Sequence, residues 1–314
     1  MDLSQVRKLY TDVLENIGKV IVGQEEVFTL MFTAVLSRGH VLLEDTPGTG
    51  KTSLAKAFAK SVSGTFHRVQ FTPDLLPQDI TGLSIYNQKT QEFQLMKGPV
   101  FTNLLLADEI NRATPRTQSA LLEAMEERHV TIDTETLPLE KPFLVIATEN
   151  PVETTGTYPL PEAQLDRFLM KLSMKPLEQE QEAAMLDRFQ AKNPMEELQP
   201  VTTVQVLEEA AEAVSEVKVH PEVRDYILSI VGATRHTSRL LLGASPRASL
   251  ALQRAAMAFA AVSGRNYVTP DDVRYLAPYV LAHRVMPGAG TADPKTLIRE
   301  MAGRETVPVE DWTK

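Results

Sequence analysis

The chain has no cysteine among its 314 residues, which excludes disulfides, thiolate metal sites and a cysteine nucleophile. Nor does any apolar stretch approach the ~18 residues of a membrane span. With 43% hydrophobic and 23% charged residues, it reads as an ordinary soluble globular chain. Clusters of lysine and arginine are missing, and the formal net charge is -9. Both argue against broad attraction to nucleic acid, which draws on such clusters. His40, His67, His129, His220, His236 and His283 are dispersed without metal-ligand spacing, so a structural role is expected for each. There is no low-complexity segment and no internal repeat. Met1-Asp-Leu-Ser-Gln-Val-Arg-Lys-Leu-Tyr10 places charges where a signal peptide needs its apolar stretch, and the expected location is cytoplasmic.

Single cores stop growing at roughly 250 to 300 residues, so two domains are expected. Leu3 to about Val20 and Glu25 to about Leu36 have helical apolar spacing, separated by Ile21-Val-Gly-Gln24. His40-Val-Leu-Leu43 is a short buried-strand pattern. It runs into a Pro/Gly turn and then the helix-forming Ser53 to Lys60. Further strands are expected at Phe66 to Phe71, Asn103 to Ala107, Phe143 to Ala147 and Phe168 to Leu172, with a helix at Thr117 to Glu127. The alternation implies an α/β fold, a parallel sheet flanked by helices. Leu83 to Met96 and His129 to Leu139 read as hairpins outside a minimal sheet. After Pro176 the pattern is helical: Glu178 to Gln190, Val204 to Val214, Pro221 to Arg235, Pro246 to Val262 and Pro270 to Val285. The expected division is 1–175 and 176–314.

Chemistry concentrates in the first part. In Gly48-Thr49-Gly50-Lys51-Thr52-Ser53, glycines let backbone amides turn toward phosphate oxygens, Lys51 supplies a point charge, and Thr52 can ligate magnesium. The consensus G-x-x-x-x-G-K-S/T would place its first glycine where this chain has Asp45, which leaves the loop shape open. Asn103-Leu-Leu-Leu-Ala-Asp108-Glu109 is an apolar strand ending in two carboxylates. Asp108 is expected to hold magnesium, directly or through water, and Glu109 to act as base toward the attacking water. Phe143-Leu-Val-Ile-Ala-Thr148-Glu-Asn150 is a third such strand, whose tip would face the crevice where open α/β sheets bind ligands. There Asn150 would orient the water or touch the terminal phosphate. In Ser245-Pro246-Arg247, Ser245 suits an N-cap and Pro246 the first helical position. Arg247 then falls where the helix dipole disfavours a cation, so either a bound anion or a nearby carboxylate must compensate.

Taken with Leu160-Pro-Glu-Ala-Gln-Leu-Asp-Arg-Phe168, Gly243-Ala-Ser-Pro-Arg247, Phe71-Thr-Pro-Asp-Leu-Leu-Pro77 and Asp108-Glu-Ile-Asn-Arg112, these strands resemble the MoxR family of AAA+ ATPases over nearly the whole chain. The resemblance implies an AAA+ P-loop domain followed by a smaller all-helical lid. Lys51 and Thr52 match Walker A, Asp108 and Glu109 Walker B, Asn150 sensor 1, Arg167 the arginine finger and Arg247 the sensor-2 arginine. Asp166 beside Arg167 leaves a structural ion pair open there. Glu149 stands where relatives often have glutamine. Gly23 and Gln24 match a segment near the adenine, with a simple helix break the nearly equal alternative. The hairpins match a helix-2 insert and a pre-sensor-1 hairpin.

By the same resemblance, the cofactors are ATP and Mg2+, and the subunits form a homo-oligomer, a hexameric ring. The activity is ATP hydrolysis in a site between sheet domain and lid, coupled to remodelling, maturation or assembly of a protein client. The resemblance offers a von Willebrand factor A-domain protein as the candidate client or partner. Two other classes stay open. A nucleic-acid motor or loader would use the hairpins, and a nonhydrolysing switch would have no need of Glu109.

Overall fold

The computed structural model describes residues 1–44, 48–150, 156–190, 193–288, 290 and 293–309. Helix α1 (Leu3–Gly18) starts at Asp2, whose side chain accepts from the Gln5 amide while Gln5 reaches back to the Asp2 N–H, a reciprocal cap. It buries Val6, Leu9, Val13 and Ile17, one helical stripe. Helix α2 (Glu25–Leu36) is buried from Val27 onward except at Thr29. Next come β1 (Val41–Glu44), α3 (Lys51–Ser61), β2 (Phe66–Gln70) and the short α4 (Pro77–Thr81). The hairpin of β3 (Gly82–Asn87) and β4 (Glu92–Lys97) precedes β5 (Leu104–Asp108) and α5 (Pro115–Glu127). A second hairpin, β6 (His129–Ile132) and β7 (Glu135–Pro138), precedes β8 (Leu144–Glu149), α6 (Glu162–Leu165) and β9 (Met170–Leu172).

The main sheet runs β2-β5-β8-β1-β9, every pair parallel. Parallel neighbours need crossovers, and helices on both faces bury the strands on both sides. Strand alternation then divides the core. Val41, Leu43, Leu104, Leu106, Leu144 and Ile146 face the layer containing α1, α2 and α3. Leu42, Leu105, Ala107, Val145 and Ala147 face the layer of α5, with Leu121, Leu122 and Met125. Burial of each such leucine or valine contributes about 1.5–3 kcal/mol. Tyr10, Phe28, Phe32 and Phe58 tie α1, α2 and α3 together through edge-to-face and stacked rings. Each hairpin is a separate two-stranded sheet.

The remaining chain is mainly helical: α7 (Gln179–Phe189), α8 (Pro194–Glu197), α9 (Val204–Ala213), α10 (Pro221–Arg235), α11 (Pro246–Val262), α12 (Pro270–Leu281) and α13 (Pro294–Arg304). A small antiparallel pair, β10 (Leu240–Leu242) and β11 (Met286–Pro287), lies among them. The helix expected to reach Val285 ends at Leu281 and tightens into a 3-10 turn over Ala282–Arg284. Helices α9 and α11 pack directly on α1 and α2. One apolar cluster consequently runs from Val6 to Ala302, without a break at residue 175. No helix among the described residues is long and apolar enough to cross a membrane.

Candidate nucleotide site

All five strands point their carboxyl ends to one edge of the sheet, and the candidate chemistry gathers there. Gly48 and Gly50 both have positive φ, 88° and 91°. Gly50 is the left-handed N-cap of α3, a conformation glycine adopts without a Cβ penalty. It turns the chain so that Lys51, Thr52 and Ser53 form the first turn of α3, where backbone N–H groups and the helix dipole favour an anion. Asp45, the departure from the loop consensus, lies outside the described residues.

Asp108 ends β5, and Glu109 follows it in a left-handed conformation with φ 56°. Thr148, near the end of β8, joins them: its hydroxyl accepts from the Glu109 amide at 2.8 Å and donates to Asp108 Oδ1 at 3.2 Å. Two residues on β2 complete the arrangement. Arg68 Nε donates to Asp108 Oδ2 at 2.5 Å, and Gln70 Nε2 donates to Glu109 Oε2 at 2.7 Å. Arg112 Nε lies 3.2 Å from the same Glu109 oxygen. Lys51, Thr52, Asp108, Glu109 and Asn150 together line a cavity of about 330 Å³, with Gly48, Gly50 and Ser53.

Arg68, Gln70 and Thr148 were not expected from the sequence. Their signal was alternation: residues 68 and 70 share one face of a strand, as do 148 and 150. The donor set fits magnesium. Thr52 and Asp108 offer hard oxygen ligands, and magnesium at phosphates usually takes only one or two carboxylates. Among the described residues no cluster of three or more His, Cys, Asp or Glu forms an all-protein metal cage.

Glu149 alternates away from this cavity. It stands opposite Glu44 in register and is half-buried. Burial pushes its carboxyl upward from the ordinary range and Glu44 adds to this, against Lys171, which donates to Glu44 Oε1 at 2.8 Å.

Gly23 and Gln24 do not line the Lys51 cavity. Both ends of the Gln24 amide are taken by Lys175: Nε2 donates to the Lys175 carbonyl at 2.7 Å and Oε1 accepts from its N–H at 3.0 Å. The side chain is thus a strut between the segment before α2 and the chain leaving β9. A Cβ on Gly23 would lie 2.7 Å from Gln181 Oε1.

Arg167 and Arg247 are also absent from the Lys51 cavity. They line a different one, of about 460 Å³, with Gly39 and His40 at the start of β1 and Leu169 just before β9. That is the amino edge of the parallel sheet, opposite Lys51. The lid therefore does not bring Arg247 onto the crevice of its own chain, as a site between sheet domain and lid would require. The packing of α11 on α1 and α2 carries its N-terminus to the other side. Arg167 Nε donates to Glu126 Oε2 at 2.7 Å, and Arg247 Nη1 lies 3.8 Å from Glu126 Oε1. Asp166, the competitor named from sequence, instead accepts from Arg284 Nε at 2.6 Å. Arg247 stays largely exposed in the first turn of α11, beyond Ser245 and Pro246, so one carboxylate stands between two arginines.

The profile of the ATPase family associated with various cellular activities (AAA) matches residues 40–170, and that of the AAA lid domain matches residues 232–310. The chain is 48% identical to the uncharacterised protein YeaC of Bacillus subtilis, over 95% of this chain and 94% of that one. It is 45% identical to the chaperone MoxR1 of Mycobacterium tuberculosis, over 90% of this chain and 77% of that one. Protein MoxR of Methylorubrum extorquens is 31% identical over 86% and 85% of the two chains. A crystal structure of a candidate ATPase from Cytophaga hutchinsonii superposes with a TM-score of 0.91 and 39% identity, covering 98% of this chain and 97% of that one.

Proposed function

The chain belongs to the MoxR family of AAA+ ATPases, and on that footing we propose that it hydrolyses ATP between neighbouring subunits of a ring to remodel or assemble a protein client. One observation carries this reading. Lys51, Thr52, Asp108, Glu109 and Asn150 share one crevice at the carboxyl edge of the sheet, while Arg167 and Arg247 share a cavity at the amino edge.

In this reading the amides of the Gly48–Thr52 loop and Lys51 hold the phosphates, and Asn150 orients a water. Glu109 takes the proton of that water as its oxygen attacks the terminal phosphorus. The bond to the bridging oxygen breaks, and ADP leaves. Magnesium, held by Thr52 and Asp108, would neutralise charge on the phosphates. Arg167 and Arg247, out of reach of their own crevice, serve the crevice of the next subunit. A hexameric ring, a cytoplasmic location, and a client or partner with a von Willebrand factor A domain follow from the family likeness. The chaperone role of the mycobacterial relative supports the remodelling activity.

Steady-state ATPase assays test the core of it. Glu109→Gln should lower turnover by roughly 10²- to 10⁴-fold, the range ascribed to general-base removal, while binding of a fluorescent ATP analogue persists. Lys51→Ala should lose that binding. An inactive wild type that still binds nucleotide would favour a nonhydrolysing switch. Turnover stimulated by DNA or RNA would favour a nucleic-acid motor.

A further inference from the structure

The crevice holds a cation that the proposed reaction leaves without a role. Arg68 sits in the middle of β2, an edge strand of the sheet, and donates through Nε to Asp108 Oδ2 at 2.5 Å. The other oxygen of Asp108 accepts from Thr148 at 3.2 Å. Both oxygens of the proposed metal ligand are therefore engaged by this chain's own side chains. The Asp108 side chain is 10% exposed and that of Arg68 is 49% exposed. A nearly buried carboxylate is costly without a counter-charge. A half-exposed arginine on an edge strand can leave for solvent at little cost, because pairs open to water are worth at most about 1 kcal/mol. Arg68 lines the same cavity as Thr52 and Lys51, and a metal on Asp108 Oδ2 would meet its head group there.

We propose that Arg68 is the resident counter-ion of the metal position: it neutralises Asp108 while the site is empty and is exchanged for magnesium when nucleotide loads. Arg68 thereby sets the magnesium concentration at which the site fills. The inference rests on the reading of Asp108 as a magnesium ligand.

The experiment titrates MgCl2 into full-length protein that holds a fluorescent ADP analogue in a metal-free buffer, following the analogue's fluorescence rather than turnover. Arg68→Gln should shift the magnesium midpoint down by about 2- to 5-fold, the span expected for an ion pair of this exposure. Arg68→Lys should fall between the two, since it keeps the charge and loses the fixed Nε–H. A tighter metal site cannot come from a misfolded variant. A midpoint for Arg68→Gln that is unchanged or raised overturns the proposal. So does a large loss of analogue affinity in EDTA without a lower midpoint, which would make Arg68 a phosphate ligand. Failure of the underlying reading looks different: Asp108→Asn would then keep the wild-type magnesium dependence, and the premise would fall with the proposal.

Discussion

His40 has both ring nitrogens committed. Nδ1 accepts from the Val145 amide at 2.9 Å, and Nε2 faces the Met125 carbonyl at 3.1 Å, an arrangement only the neutral ring satisfies. Burial first, and then the Arg128 guanidinium, holds its pKa well below 6.5. His283 is lowered in the same way by burial and Arg284. A folded pKa below the unfolded one means that the unfolded chain takes up the proton first as pH falls. The associated stability is thus present above about pH 6.5 and lost below it, at up to about 1.4 kcal/mol per pH unit for each histidine. Thermal unfolding should show Tm dropping between pH 7.5 and 5.5, and a flat profile would contradict this. Near the crevice, Gln70→Leu should free Glu109 from the β2 side chain that bonds it, lowering ATP turnover while leaving nucleotide affinity within about 2-fold, since the hydrogen bonds of Gln70 go to Glu109 and Arg68. Lys51, Thr52, Asp108, Glu109 and Asn150 were legible because each ends or follows an apolar strand. Arg68 and Gln70 were not, because on an edge strand polar residues are ordinary and the partner that gives them meaning is 39 or 40 residues away.

Strand and helix positions were legible wherever periodicity and punctuation agreed. Pro221–Arg235 and Pro246–Val262 each open on proline at the first helical position, and the expected ends match those observed. Helix α13 is not legible in the sequence: its buried Leu297, Ile298, Met301 and Ala302 are diluted by charged residues, and β10 and β11 span only three and two residues. The hairpin β3–β4 was visible as alternation, but its anchoring was not. Gly82 has φ 100°, and a Cβ there would lie 2.3 Å from the Met96 carbonyl oxygen. Gly82→Ala should therefore cost about 1–3 kcal/mol in denaturant unfolding without altering nucleotide affinity, because the hairpin does not line the Lys51 cavity. Its far end carries Tyr86 and Phe93 in cross-strand register with ring centroids 5.4 Å apart. Phe93 is 74% exposed.

For the whole molecule, the α/β unit and the helical lid expected from sequence are both present, and the later helices pack on α1 and α2 in one apolar cluster. No local pattern reveals that joining, since it depends on which apolar stripe meets which. The same packing sets Arg247 beside Arg167 and both across the sheet from Lys51. Arg167→Ala should reduce turnover by roughly 10³-fold or more, as loss of an arginine finger does, at unchanged nucleotide affinity. Mixing inactive Arg167→Ala subunits with inactive Glu109→Gln subunits should restore part of the activity. The intact arginine of one then reaches the intact glutamate of the other, and absence of recovery would count against the shared site. Strand β1 is four residues long, about 13 Å at 3.3 Å per residue, and that thin slab separates the rim of Arg167 and Arg247 from the rim of Lys51 and Glu109. Copies joined rim to rim meet through unlike surfaces, a head-to-tail contact that closes into a ring or winds into a spiral. In the proposed ring such a contact would have a sense of rotation, because each crevice would answer to the neighbour on one side only.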